Sequence, residues 1–165
     1  MTEGSFEEFY AATYLRLLKQ LVLVTGDAGD AEDLLQEAYA RAAVRWKHLR
    51  DYDRPEAWVR RVALHLAADA ARRARRRAAA LLRLRLPPPV ELSPDSLDLA
   101  KALRALSLGQ RQAVVLYHLV GLSVQEVAEQ LGVPVGTVKA RLARGRAALA
   151  RRLTADELEV LHDDR

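Results

Sequence analysis

The stretch "LPPPVELSPDS", residues 86 to 96, constrains this chain more than any other. Three consecutive prolines fix φ and remove three backbone donors, so no helix passes through them and extended polyproline II is favoured. The sequence therefore divides into a front unit over residues 1–80, a stiff linker over 81–96, a rear unit over 97–153 and an acidic tail over 154–165. Units of this size are marginal, because a domain of about 60 to 75 residues buries only about 60% of the surface its unfolded chain exposes. Half of the 165 residues are hydrophobic but only 5% are aromatic, so the cores must be built from Ala, Leu and Val. Those residues, with Arg and Glu, favour helices, and no run alternates as strands joined by hairpin turns do. The expected fold is all-α: two small helical domains joined by a Pro-rich linker.

The front unit reads as three helices. "SFEEFYAATYLRLLKQLVLVT" stops at "GDAGD", where Gly26 and Gly29 supply a turn and Asp30 an N-cap. "AEDLLQEAYARAAVRW" then places Leu34, Leu35, Ala38, Tyr39 and Ala42 inward, with Asp33, Gln36, Glu37 and Arg41 on the other side. A loop "KHLRDYDR" follows. With Asp53 as cap and Pro55 in the first turn, "PEAWVRRVALHLAADAARRARRR" forms a long helix. Its predicted buried stripe is Val59, Val62, Ala63, Leu66 and Ala70, while Arg61, His65, Arg72 and Arg76 line a different side.

In the rear unit two capping boxes, Ser107 with Gln110 and Ser123 with Glu126, predict helices over 108–120 and 124–131. A turn at "LGVP" leads to a final helix over 135–153, which makes a helix-turn-helix. Val124, Val127, Ala128, Leu131, Val133, Val138 and Leu142 are the expected crossing residues.

Charge is distributed in blocks. Residues 59–85 hold nine arginines against one acid, Asp69, and residues 136–153 hold six bases and no acid. The first 58 residues and the last 12 are both net negative, so the whole chain sums to only +4. Two separated basic blocks fit two contacts with a polyanion. On the last helix, Lys139, Arg141, Arg144 and Arg146 can donate to phosphate oxygens and to guanine edges. A phosphate-cradling loop is excluded for "GVPVGTVKARLARGRAAL": Thr137 and Val138 separate Gly136 from Lys139, and an amphipathic helix, not a strand, precedes it. The first block has Trp46, Tyr52 and Trp58 close in sequence, and basic grooves with aromatics hold single strands by stacking. Trp58 fits a core position as well, and the pattern leaves both open.

Other chemistry is thin. There is no cysteine, which excludes disulfides and thiolate metal sites and suits a reducing cytoplasm. The start "MTEGSFEEFY" lacks the features of a signal peptide, and no apolar run reaches the ~18 residues of a membrane span, so a cytoplasmic protein with no membrane contact is expected. Histidines 48, 65, 118 and 162 share no helical pairing, and the acids near Asp27, Asp30, Glu32 and Asp33 read as capping residues. No enzyme activity, cofactor or metal is expected.

Three segments, "GDAGDAEDLLQEAYARAAVRW", "RPEAWVRRVALHLAADAARRARR" and "GLSVQEVAEQLGVPVGTVKARLARGRAAL", together resemble the extracytoplasmic-function (group IV) sigma factors of bacterial RNA polymerase, over about residues 5–153. The resemblance implies a sigma region-2 domain before the linker and a region-4 helix-turn-helix domain after it. It implies binding to core polymerase through the β′ clamp helices and the β flap, with Asp33, Leu34, Gln36 and Glu37 as the clamp-facing residues. It implies minus-10 recognition and melting of double- and single-stranded promoter DNA through Trp58, Arg60, Arg61, His65, Arg72 and Arg73. It implies minus-35 recognition through Thr137, Lys139, Ala140, Arg141, Ala143, Arg144 and Arg146. An anti-sigma factor is a further partner common in the family, and no appended sensory domain is expected. The chain departs from the family pattern at His65, where Asn is frequent, at Ala140, where Ser is frequent, at Ala143, usually larger, and at Tyr117, usually arginine. Two alternatives are a stand-alone helix-turn-helix transcriptional regulator, which a dimerisation helix would favour, and a helical adaptor that binds protein through its acidic helix.

Overall fold

The first two helices of the front unit begin where a side-chain cap satisfies orphan backbone amides. A computed structural model of the protein describes residues 4–81 and 94–152. Helix α1 spans Phe6–Thr25 and opens with a capping box: the Glu8 amide donates to Ser5 Oγ at 3.1 Å and the Ser5 amide to the Glu8 carboxylate at 3.3 Å. It closes at Gly26, whose φ of 76° is the left-handed conformation that glycine adopts without penalty. Helix α2, Ala28–Val44, is capped by Asp27, which accepts from the Asp30 amide at 2.8 Å. This corrects the expected cap. Asp27 has the extended backbone from which a side chain reaches back over the first turn; Asp30 and Gly29 already lie inside the helix.

The inward face of α2 is Ala31, Leu35, Ala38, Tyr39 and Ala42, at spacings of three and four; Leu34 is only half-buried. Part of the predicted loop is helical: α3 covers Trp46–Leu49 and buries Leu49. Helix α4 runs from Pro55 to Leu81 and packs on α1 and α2. Because it faces two helices, its buried face is rotated from the predicted stripe. Val59, Ala63, Leu64 and Ala67 are buried, whereas Val62, Leu66 and Ala70 lie half-buried at one edge. At the other end of the core, Phe6, Phe9, Tyr10, Tyr14, Tyr39 and Trp46 form an aromatic cluster, with Phe9 stacked on Trp46 at 4.9 Å. Inside it, the Thr13 hydroxyl donates to the Phe9 carbonyl at 2.7 Å and shares a 2.7 Å hydrogen bond with the Tyr39 hydroxyl. The single Thr13 hydroxyl proton is used on the carbonyl, so the Tyr39 hydroxyl donates.

A second compact unit follows the proline-rich stretch. Residues 82–93 of the predicted linker and the whole of the acidic tail lie outside the described residues, while the two ends of that linker are helical. A helix that the sequence pattern does not predict, α5, covers Pro94–Arg104, with proline in the first turn, where its missing N–H costs nothing. Its Ala102 and Leu103 are buried. Helix α6, Leu108–Val114, is capped by the Ser107 hydroxyl alone, which accepts from the Gln110 amide at 3.3 Å. The single helix expected over 108–120 is instead α6 followed by one π-helical turn, Val115–Leu119. Gly121, at φ 82°, makes the turn into α7, Val124–Leu131, which carries the full Ser123–Glu126 capping box. Gly132, at φ 65°, ends α7, and α8 runs Val135–Ala150. Val127, Ala128, Val138, Leu142, Gly145 and Leu149 are buried where α7 and α8 meet each other and α6.

The crossing of α8 over α6 is close at Gly145: a Cβ there would stand 2.8 Å from Val114 Cγ2. Glycine is thus required by proximity rather than by backbone torsion. No helix among the described residues is long and apolar enough to cross a membrane.

Candidate nucleic-acid interface

On α8 the buried residues Val138, Leu142, Gly145 and Leu149 define one side, and the opposite side carries Gly136, Ala140, Ala143 and Ala147. Lys139, Ala143, Arg144 and Arg146 are exposed; Thr137, Ala140 and Arg141 are half-buried. The exposed face is therefore a small-residue centre between cationic flanks. Lys139 and Arg146 share one flank, and Thr137, Arg141 and Arg144 the other.

Two of these cations are engaged within the unit. The Arg146 guanidinium lies over the Tyr117 ring, 5.8 Å from its centroid, and Tyr117 meets His118 edge-on at 4.8 Å. Sequence spacing could not reveal that contact, because the π-helical turn places Tyr117 and 28 residues separate it from Arg146. The Arg141 guanidinium folds back over α6, and a Cβ on Gly109 would come within 2.9 Å of its Nε. Arg141 thus stands against the protein at the margin of the face, and Lys139 and Arg144 flank its centre.

On α4, Arg61, His65, Arg72, Arg73 and Arg76 are exposed, and the first three, with Arg76, recur along one side of the helix. Arg60 is not among them. It lies on the side turned toward α1, where its Nη1 donates to Gln20 Oε1 at 3.3 Å. Arg72 pairs with Asp69, whose carboxyl is held below the usual carboxylate range by that hydrogen bond first and then by the charges of Arg72, Arg73 and His65. Trp58 is half-buried and forms one wall of a groove of about 360 Å³ with Arg41, Val44, Arg45 and Val62. Trp58 thus borders a groove while the residue as a whole stays half-buried. Trp46, also half-buried, is stacked on Phe9 and meets Phe6 edge-on in the aromatic cluster. Tyr52, in the loop before α4, is 55% exposed.

Asp33, Gln36 and Glu37 are all exposed on α2, and Leu34 is partly covered beside them. Glu37 accepts from Arg41 Nε at 2.8 Å one turn on. The same side of α2 continues to Val44, which is 88% exposed, an apolar side chain that the sequence pattern gave no reason to single out. Asp27 and Asp33 raise the carboxyl of Asp30 after burial does so first, which fits a locally acidic helix start. Among the described residues no group of histidine and carboxylate side chains could hold a metal.

This arrangement has counterparts among known proteins. The sigma-70 region 2 profile matches residues 10–77, and the sigma-70 region 4 profile matches residues 96–149. The RNA polymerase sigma-E factor of Streptomyces coelicolor is 32% identical over 158 residues, covering 94% of this chain and 89% of that protein. The ECF RNA polymerase sigma factor SigM of Mycobacterium tuberculosis is 32% identical over 151 residues, covering 90% of this chain and 77% of its own. Among solved structures, CnrH in complex with the cytosolic domain of CnrY superimposes with a TM-score of 0.57 at 28% identity, over 88% of this chain and 85% of that one. The sigma factor RpoE of Bartonella quintana, solved with the anti-sigma factor NepR, has the same fold: TM-score 0.71 at 24% identity, over 97% and 98% of the two chains. Profiles, relatives and helical architecture agree, and the chain belongs to the sigma-70 family of RNA polymerase sigma factors, in its ECF branch, as a transcription initiation factor and not an enzyme.

Proposed function

We propose that this protein is a group IV sigma factor that recruits core RNA polymerase to a two-part promoter, with one DNA contact in each unit. The observation that carries this reading is the pair of exposed cationic faces, one on α4 and one on α8, on separate units that match region 2 and region 4. Domain limits of 1–80 and 97–153, joined by 81–96, follow from the break that three prolines impose on any helix, with α5 carrying the second unit back to Pro94.

In the rear unit, α8 enters the major groove of the minus-35 element. Lys139 and Arg144 reach phosphates or guanine edges from either side of the helix, with Thr137 at its start. Ala140 and Ala143 offer methyl surface, which suits a thymine methyl, and Arg141 and Arg146 complete the phosphate contacts from the margins. In the front unit, Arg61, His65, Arg72 and Arg73 track the backbone of the minus-10 element, and Trp58 supplies an aromatic face for an unstacked base. Arg60 supports that surface from its position against α1. The exposed Asp33, Gln36 and Glu37, with Leu34 beside them, dock on the β′ clamp helices, where an acidic-polar helix face complements a basic protein surface; the rear unit meets the β flap. An anti-sigma protein that covers these faces is the natural antagonist.

Run-off transcription with purified core polymerase tests the reading. Promoter-dependent transcripts that need both the chain and core are the expected result. Core binding without a transcript from any genomic fragment overturns it.

A further inference from the structure

One residue on the exposed side of α4 has the wrong sign for a surface that follows a polyanion. Asp69 lies one turn after His65 and one turn before Arg72 and Arg73, and it is the single acid among residues 59–85, against nine arginines. Its side chain is exposed, its Oδ1 accepts from Arg72 Nη2, and the surrounding cations keep it ionised. The pairing with Arg72 accounts for one oxygen only. A carboxylate in the middle of a phosphate-tracking surface repels the backbone that the surface is built to hold. DNA laid along α4 must therefore give its phosphates to Arg72, Arg73 and Arg76 and present some other group to Asp69.

An ionised carboxylate only accepts hydrogen bonds, so that group is a donor. Asp69 stands 11 residues beyond Trp58, which at 1.5 Å per residue is about 16 Å, or roughly five base steps. If Trp58 engages the unstacked segment, Asp69 lies over DNA that is still paired. In paired DNA the major groove offers only two donors, the exocyclic amines of cytosine and adenine; guanine and thymine present acceptors there.

We propose that Asp69 is a specificity-determining residue, its open carboxylate oxygen accepting from a cytosine or adenine amine at the paired edge of the minus-10 element while Arg72, held by its other oxygen, takes the adjoining phosphate. This rests on the minus-10 role given to α4 above. The contact selects against guanine and thymine at one position, both by a lost hydrogen bond and by opposing two acceptors.

The test uses holoenzyme reconstituted with the full chain and a fork-junction DNA pool, randomised through the minus-10 strand and its paired edge, with bound molecules sequenced. Wild-type holoenzyme enriches cytosine or adenine at one paired position. Asp69→Asn keeps the shape but adds a donor, and it relaxes that one preference toward guanine and thymine by about fivefold or more while leaving the other positions unchanged. Asp69→Ala loses the preference without a new one. If Asp69 merely staples Arg72, both variants weaken binding uniformly across the pool, and that result overturns the assignment, as does a preference that survives in both. A wild-type holoenzyme that enriches no sequence overturns the promoter role of α4, and this assignment with it.

Discussion

The helix-turn-helix depends on how closely α8 can lie on α6, and two glycines of the same helix measure this. At Gly136 a Cβ would have no neighbour within 4 Å, whereas at Gly145 it would stand 2.8 Å from Val114 Cγ2. Carbon atoms pack best at about 3.5–4.0 Å, so Gly145→Ala must push the two helices apart by roughly 1 Å or force Val114 off its rotamer. Overpacking of that kind costs about 1–3 kcal/mol. The loss of glycine flexibility offsets about 1 kcal/mol of it in either variant. Gly136→Ala should therefore stabilise the rear unit by up to about 1 kcal/mol and Gly145→Ala should destabilise it by up to about 2 kcal/mol. Both tryptophans lie in the front unit, so their fluorescence is blind to this change. Hydrogen exchange of α6 and α8 amides in the intact chain reads it directly. Equal protection in the two variants would refute the close crossing, because helix propensity alone would then explain both.

Further expectations concern the surfaces and the front core. Lys139→Ala or Arg144→Ala should weaken minus-35 binding by about 1–3 kcal/mol if each touches a base; competition binding of holoenzyme to promoter variants checks it, and unchanged selectivity contradicts the assigned face. Gln36→Ala combined with Glu37→Ala should lower affinity for core polymerase in a pull-down titration while circular dichroism shows the same helical content, since only the exposed Glu37–Arg41 pair is lost inside the protein. Thr13→Ala should cost more than Tyr39→Phe in chemical denaturation, about 1–3 against about 1 kcal/mol, because it strands the buried Tyr39 hydroxyl that donates to Thr13. Burial raises the Tyr39 hydroxyl above its ordinary value of 10.0. A raised folded-state value stabilises the protein fully below pH 10 and loses that contribution as pH climbs toward it. Stability should therefore fall above pH 10, and Tyr39→Phe should flatten that decline.

Much of the fold is legible wherever one residue type does one job. The triple proline, Pro87 to Pro89, separates the units on backbone chemistry alone, and Ser123 with Glu126 starts α7 as its spacing requires. Helix α4 shows where such reasoning stops. Alanine, leucine and valine occur on most of its circumference, so its pattern cannot tell which side meets α1, and the rotation that buries Leu64 and turns Arg60 toward Gln20 follows from two neighbours at once. Asp27 and Asp30 are equally good caps by residue type, and only the backbone of Asp27 decides between them. The π-helical turn has no sequence signal of its own, and the contact between Tyr117 and Arg146 depends on it. Basic faces are visible as charge blocks; Asp69 is visible as the exception, but its place on the exposed side needs the structure.

The small-residue centre of α8 bears on how such a protein can change. Gly136 has open space around it, and Ala143 and Ala147 are exposed, so a larger side chain at any of the three displaces nothing within the protein. On the minus-35 role proposed for α8, promoter preference can therefore drift at these positions one substitution at a time with little penalty in folding. Gly145, on the opposite side of the same helix, has no such freedom. A single helix thus separates an evolvable surface from a fixed one, and variation among descendants of this chain should accumulate on the first and be purged from the second.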